Sequence, residues 1–391
     1  MSLYPYLNCI IFGCQTLICY NYLLWRSGGM VDTRDSKSLA CKCVRVRLPP
    51  SLLNLTERKI MNKYKMYGIG NALLDYEYKV NDEVLNSLGL DKGCMLLNDY
   101  DKHFNVHNSL RNIRPPEKIV PGGSVANSIF TMAQFDNSVC FSGKVSADKT
   151  GDDFITCLID SGVESFVNQT EQQQSGECLV LITPDNERTM NTYLGSSSLL
   201  DITDINKDAL VSSEYLLIEG YLVTSEDTLS VGMSALEHTE QTSTKKVITL
   251  SDPNIVSFFR DSLLRLFKNK ADIIFCNEQE ALNFSETNNL KDAQEFLREI
   301  TNEYVITLGG NGAVCFDGHN SYSTKGLNVS SKDFTGAGDM FLGAYMHKYN
   351  GTNPQESLNF ANYCSSKIIQ VYGAKLGHKD SYSKLLNDFK S

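Results

Sequence analysis

A chain of 391 residues, 42% hydrophobic and 21% charged, is globular in composition and long enough for one large α/β domain or two ordinary ones. A formal charge of -10 excludes nucleic acid and anionic membrane as main partners, although backbone amides and a metal can still hold a phosphate locally. The cysteines show no C-x-x-C spacing, and an odd number lies beyond the first sixty residues, which predicts buried, reduced thiols in a cytoplasmic protein.

The chain begins with "LNCIIFGCQTLICYNYLLW", Leu7 to Trp25, apolar enough to suggest a membrane anchor, with Arg26, Arg34, Arg45 and Arg47 behind it. Asn8, Gln15 and Asn21 interrupt the run, and neither a leading charge nor a small-residue cleavage site accompanies it, so no membrane association is expected. The next piece, "GGMVDTRDSKSLACKCVRVRLPPS", has neither helical nor strand periodicity and resembles a translated transfer-RNA gene. Residues 1–60 are therefore expected to be a non-native or disordered extension, with Met61 or Met66 as the start and the functional domain at 61–391.

From Tyr64 onward apolar strand candidates alternate with helical segments: "KMYGIGN", "VCFSGKV", "YLLIEGY", "KVITLSD", "DIIFC", "YVITLGG" and "AVCF". Between them helices are predicted at Ser124–Phe135, Asp152–Ser161, Ile255–Phe267, Leu290–Glu299 and Pro354–Tyr372. Near-continuous apolar strands separated by helices predict a mostly parallel sheet covered on both faces, with ligands beyond the carboxyl ends of the strands. Two polar, alternating stretches, at about 75–119 and 166–195, predict a small half-exposed sheet acting as a lid.

Five short pieces carry candidate chemistry. In "PGGSVANSIF", Gly122 and Gly123 precede Ser124 and a helix bearing Asn127, a glycine-lined entry with a hydrogen-bonding group for a polyol. "DPN" at Asp252 ends a strand, where active-site groups sit in open sheets. In "CNEQEA", Asn277 and Glu280 are spaced i, i+3 behind a buried strand, suited to Mg2+ through water or equally to a solvated first turn. Thr307, Gly309 and Gly312 in "ITLGGNGAVCF" form a tight turn able to take a nucleotide, although plain hairpins want the same residues. Last comes "KDFTGAGDMFLGAYM", where Gly336, Ala337 and Gly338 open a helix with Asp339 directly behind. Uncapped first-turn amides and the helix dipole suit an anion there. A carboxylate in that turn repels phosphate unless it has a task, and accepting a proton from an attacking hydroxyl is one. An ordinary helix start with a dipole-favoured acid would use the same residues. Three patterns are missing: "SGKVS" lacks the earlier glycine of a Walker loop, no G-x-S-x-G elbow occurs, and the six histidines show no metal-ligand spacing.

In the order of their occurrence, "PGGSVANSIF", the N-x-x-E of Asn277 and Glu280, the Thr307–Gly312 turn and "DFTGAGDMFLGAY" resemble the signatures of the PfkB (ribokinase-like) carbohydrate and nucleoside kinases, over about Met66 to Leu376. The resemblance implies a ribokinase-like α/β fold with a β lid, and transfer of the ATP γ-phosphoryl group to a primary hydroxyl. It implies Asp339 as catalytic base, the amides of Gly336, Ala337 and Gly338 as anion hole, and Glu280 with Asn277 as Mg2+ organisers. Asn71, Asp75, Gly122, Gly123, Asn127 and Arg188 match substrate positions. Thr307, Gly309, Gly312, Asn277 and Asn362, the last in "ANYCSSKIIQVYGA", match the ATP site. Carbonyls near Asp333 and Thr335 match a monovalent cation site, K+ in relatives. "GNALLDYEYKV" and "LLIEGYL" look most like the bacterial branch usually labelled adenosine kinase or sugar kinase. Ala72 replaces a proline of the eukaryotic adenosine kinases, and adenosine or a related ribosyl compound is the expected acceptor. Free sugars (fructokinase, ribokinase or keto-deoxygluconate kinase type) are the alternative acceptors, and a non-catalytic sugar or nucleotide binder is the outlying one. A monomer or a homodimer is compatible with the resemblance.

Overall fold

The structure is a computed structural model that describes residues 63–390 apart from 186 and 270, so the extension expected at residues 1–60 lies outside the described residues. In chain order the strands are β1 (Tyr64–Ile69), β2 (Leu73–Lys79), β3 (Met95–Leu97), β4 (Lys118–Gly122), β5 (Val139–Ser142), β6 (Lys144–Ser146), β7 (Glu164–Ser165) and β8 (Asn168–Thr170). They continue with β9 (Gly176–Ile182), β10 (Arg188–Tyr193), β11 (Ser213–Glu219), β12 (Lys245–Thr249), β13 (Ala271–Asn277), β14 (Thr301–Thr307), β15 (Ala313–Phe316) and β16 (Ser321–Thr324).

Nine of these form one sheet in the order β16-β15-β14-β13-β12-β11-β1-β5-β7. It is parallel from β7 to β14 and ends in two antiparallel pairings, so only the last two strands depart from the parallel pattern. The apolar runs explain its burial. In β11, Tyr215 and Leu217 enter the core under helices Ser124–Gln134, Ala337–Lys348 and Pro354–Ile368, while Leu216 and Ile218 enter the opposite core under helices Glu226–Thr239, Glu278–Ser285 and Leu290–Ile300. Each such side chain contributes about 1.5–3 kcal/mol when fully buried, which only a two-faced sheet collects at every position.

A second sheet, β3-β10-β9-β2-β4, stands apart as the smaller layer. It contains the two segments expected to form the lid, but its strands begin at Leu73 and end at Tyr193, and 168–170 is not among them: β8 pairs with β6 instead. "VCFSGKV" is thus two strands in two different sheets, parting at Gly143. The first lid segment also carries helices Asp82–Ser87 and Tyr100–Ile113, which the alternating pattern did not suggest.

Two predicted helices change length for visible reasons. Ile255–Phe267 divides into Pro253–Phe258 and Arg260–Leu266, because Phe259 leaves the helical region at φ -122 and ψ 27. Pro354–Tyr372 stops at Ile368 because Asp333 intercepts its next turn. The Ile369 carbonyl accepts from the amides of Lys332 and Asp333, and the Gly373 amide donates to Asp333 Oδ2 at 2.6 Å instead. Of the cysteines, Cys140, Cys178, Cys276, Cys315 and Cys364 are buried free thiols as expected, whereas Cys94 is exposed and Cys157 half-buried. Among the described residues no helix is long and apolar enough to cross a membrane.

Candidate active site

A cavity of about 320 Å³ opens where the carboxyl ends of the large sheet face the lid. From the sheet come Asn71 after β1, Glu219 ending β11, Asp252 after β12, Asn277 ending β13 and Thr307 ending β14. Side chains at strand ends converge there because a parallel sheet aligns all its carboxyl termini on one edge.

Two glycine-led helices meet in this cavity. Gly336 begins Ala337–Lys348 with φ 65, a left-handed conformation, and a Cβ there would lie 2.6 Å from Ala374 Cα. Gly123 begins Ser124–Gln134 with φ 95, and a Cβ would lie 2.2 Å from the Asn71 carbonyl oxygen. Neither glycine offers a side-chain cap; the Glu219 carboxylate takes the Val125 amide of the second helix, while the first-turn amides behind Gly336 are left for another acceptor. Helix Glu278–Ser285, by contrast, carries a full capping box. An ordinary cap therefore explains "CNEQEA" locally and does not explain "TGAGD".

Asp339 lines the cavity and accepts hydrogen bonds from Ser124 Oγ at 2.8 Å and Asn127 Nδ2 at 3.0 Å. Burial pushes its carboxyl up to about 6, against those two bonds and the charge of Lys375. Asn127, expected to meet substrate, is spent through its amide nitrogen on Asp339, while its Oδ1 is buried without a partner. Glu219, absent from the sequence expectations, is fully buried between Asn71 Nδ2 at 3.0 Å and the Val125 amide at 3.1 Å, and burial lifts it to about 7. Its signal was present: an acid closing the otherwise apolar "YLLIE".

Asp75 lines the cavity with Gly122 packed under its carboxylate, while Gly122 itself does not line the cavity. Burial raises Asp75 above the ordinary carboxylate range, and the charges of Lys375 and Arg188 oppose the rise. Lys375, also missed by sequence, is buried and donates to the Pro121 carbonyl. Thr307 lines the cavity, but Gly309, which is exposed, and Gly312, which is buried against the Thr324 carbonyl, form a turn outside it. Asn362 does not line it either: its Nδ2 donates to the Lys325 carbonyl and tethers a loop.

Arg188, on the lid, lines the cavity with Nε 2.9 Å from Asp333 Oδ1, and its Nη2 is buried without a hydrogen-bond partner. Asp333 is completely buried and also accepts from the Thr335 amide, the Thr335 hydroxyl and the Gly373 amide. Oδ1 takes Arg188 and both Thr335 donors and Oδ2 the Gly373 amide, so the carboxylate is largely committed and a monovalent ion at this turn would rest mainly on main-chain carbonyls.

For Mg2+ the donor chemistry fits, with one restriction. Asp252 and Asp339 stand near Glu280, which is pushed up to about 8 by burial first and further by those two charges, against the hydrogen bond from the Asn277 amide. Such an excess of oxygen anions suits a hard divalent cation. Both Glu280 oxygens, however, are held by Asn277, Oε2 by its amide at 3.0 Å and Oε1 by its Nδ2 at 2.6 Å. They fit a hydrated ion through water better than direct coordination.

These raised carboxyls set a sign for stability against pH. Asp339, Glu219 and Glu280 rise from 3.8, 4.5 and 4.5 to about 6, 7 and 8, so the folded chain binds more protons than the unfolded one between those limits. Stability attributable to them therefore falls as pH rises from about 4 to about 8, and the loss is complete above that window. The thermal midpoint of the metal-free protein should decline from pH 5 to pH 8, and added Mg2+ with nucleotide should raise it more at pH 8 than at pH 6. A flat profile would mean that these groups are ordinarily solvated.

Comparison with known proteins places residues 99–380 in a match to the pfkB family carbohydrate kinase. The chain is 28% identical over 338 residues to adenosine kinase of Saccharomyces cerevisiae, covering 81% of this chain and 98% of that one. Among solved structures it is similar to a probable sugar kinase from Rhizobium etli, with TM-score 0.78, 26% identity and coverage of 84% of this chain and 100% of that one. It is also similar to adenosine kinase from Sinorhizobium meliloti, with TM-score 0.77, 26% identity and coverage of 83% and 99%.

Proposed function

Because the chain belongs to the pfkB family of carbohydrate kinases, we propose that it transfers the γ-phosphoryl group of ATP to the primary hydroxyl of adenosine or a closely related ribosyl compound. The observation that carries the choice of acceptor is the two-sided character of the cavity. Asn71 and Asn127, with Asp75 from the lid strand β2, suit the hydroxyls of a ribose, while Met95, Leu97 and Met190, also on the lid, form an apolar wall suited to the face of a purine. A free sugar offers that wall nothing to cover.

Asp339 accepts the proton from the attacking hydroxyl, and a pKa of about 6 leaves it ionised near neutrality yet basic enough to take a proton as the new P–O bond forms. Ser124 and Asn127 hold its carboxylate toward the cavity. The uncapped amides after Gly336 receive the transferring phosphoryl group, whose charge spreads over its equatorial oxygens. Thr307 and Asn277, at adjacent strand ends, border the nucleotide. Glu280, with Asn277, would hold Mg2+ through water, and the ion would supply charge neutralisation on the polyphosphate.

One observation favours a second acceptor. Arg188 Nη2 is buried in the wall without a partner, and an acidic or keto sugar would satisfy it. A coupled ADP-release assay with adenosine, other nucleosides, ribose, fructose and keto-deoxy sugar acids separates the two. Adenosine should have the highest kcat/KM. A preference of tenfold or more for a sugar or sugar acid would transfer the assignment to the second reading, and no ADP release with any acceptor would overturn both.

A further inference from the structure

The reverse face of the lid holds a cluster that phosphotransfer does not use. Helix Tyr100–Ile113 carries His103 and His107 one turn apart, and Glu177 stands opposite on β9. This i, i+4 pair is the histidine spacing that the sequence had been expected to lack. One ligand atom from each of the three residues lies within 4.8 Å of the others. His103 Nε2 is 3.3 Å and His107 Nδ1 2.9 Å from the same oxygen, Glu177 Oε2. The separations between ligand atoms in a tetrahedral site with metal–ligand bonds of about 2.0–2.1 Å are of this order.

With the Asn191 amide oriented as it is, the protons of the cluster close only with a metal ion or with one further proton. His103 Nδ1 lies 2.9 Å from Asn191 Oδ1, which only accepts, so that ring nitrogen carries the proton. The remaining lone pair, on Nε2, then points at a carboxylate oxygen. His107 Nε2 is buried with no partner, and so is Asn191 Nδ2. Beside the three residues a cavity of about 190 Å³, bordered by Tyr100, Gln174, Ser175 and Tyr193, has room for a water as fourth ligand. Arg111 also borders this cavity, and its charge opposes a metal.

We propose that His103, His107 and Glu177 bind a divalent transition-metal ion of the zinc type, with Asn191 fixing the His103 tautomer from behind. Two imidazoles and one carboxylate suit zinc and exclude the hard Mg2+ of the catalytic cavity. The ion joins the lid helix to β9, and β10 supports it through Asn191. Strand alternation puts Cys178, Met190 and Thr192, immediate neighbours of Glu177 and Asn191, on the opposite face, in the catalytic cavity. The metal would therefore stiffen the substrate wall from its reverse side.

The test uses the full chain, stripped with chelator and titrated with Zn2+ alone by calorimetry, with bound metal counted by mass spectrometry. About one zinc per chain is expected, together with a rise in thermal midpoint and, with Co2+ in its place, a tetrahedral visible spectrum. Glu177→Gln, which keeps the side-chain shape, and His107→Ala should each lower retained zinc more than tenfold and abolish the zinc-dependent rise. If either variant fails to fold, the wild-type stoichiometry and Co2+ spectrum still decide. No zinc retained by the wild type would overturn the proposal, leaving a proton between His103 and Glu177. Retention undiminished in both variants would overturn it as well.

Discussion

Asp339→Asn should lower kcat by roughly 10²–10⁴-fold, about 3–5 kcal/mol of barrier, while ATP affinity and the thermal midpoint stay near wild type. The stability half of this expectation follows from the hydrogen bonds. Ser124 Oγ can turn from donor to acceptor, and Asn127 has an unpartnered Oδ1 that a flip of its amide would present to the new Nδ2. An uncharged side chain also removes a carboxylate whose ionised form burial disfavours, so the midpoint should hold or rise. The wild-type rate should fall as pH drops through about 6, where Asp339 takes up its proton, and the variant should lose that limb. Were Asp339 only a first-turn acid, turnover would survive, and the helix would lose a few tenths of a kcal/mol, roughly the scale of one dipole interaction. A variant that keeps more than about a tenth of wild-type kcat would remove Asp339 from the role of base.

What the sequence discloses here depends on whether a pattern is local. The two-faced strands β1, β11, β12, β13 and β14 were legible because burial on both faces demands an unbroken apolar run. The glycine-led helix starts were legible because few other needs place two glycines before a helix. The lid helix Tyr100–Ile113 was not, although its buried positions, His103, His107 and Leu110, keep helical spacing. Two of the three are histidines, so a reading that counts apolar residues finds no period. Glu219 was legible in principle, as an acid ending a buried strand. Lys375 and the Arg188–Asp333 pair were not, since contacts across most of the chain leave no local trace. The same limit explains Asn362 and Gly309: their motif positions match, yet only packing reveals that one tethers a loop and the other stands outside the cavity.

Asp333 illustrates how such a long-range contact governs the site, and Asp333→Asn is the second substitution with a large expected effect. The wild-type carboxylate joins three pieces of chain: the Thr335 turn that delivers Gly336, the Gly373 amide after helix Pro354–Ile368, and Arg188 on the lid. An amide in its place presents Nδ2 to a buried donor, and it leaves Arg188, only 13% exposed, without its directly paired carboxylate. Removing one partner of a buried pair typically costs about 3–5 kcal/mol. At roughly 2–4 °C per kcal/mol for chains approaching this size, the thermal midpoint should drop by roughly 6–20 °C. Arg188→Met should cost less, because Asp333 would keep its three hydrogen bonds from Thr335 and Gly373. The double variant should then be more stable than the sum of the singles requires, since the uncompensated guanidinium is gone. Thermal midpoints of the three variants close this cycle. At temperatures where Asp333→Asn is still folded, its kcat should fall further than its ATP affinity, because the turn that sets the anion-binding amides has lost its anchor while Thr307 and Asn277 have not. If Asp333→Asn is no less stable than Arg188→Met, the carboxylate is not the junction of these three segments.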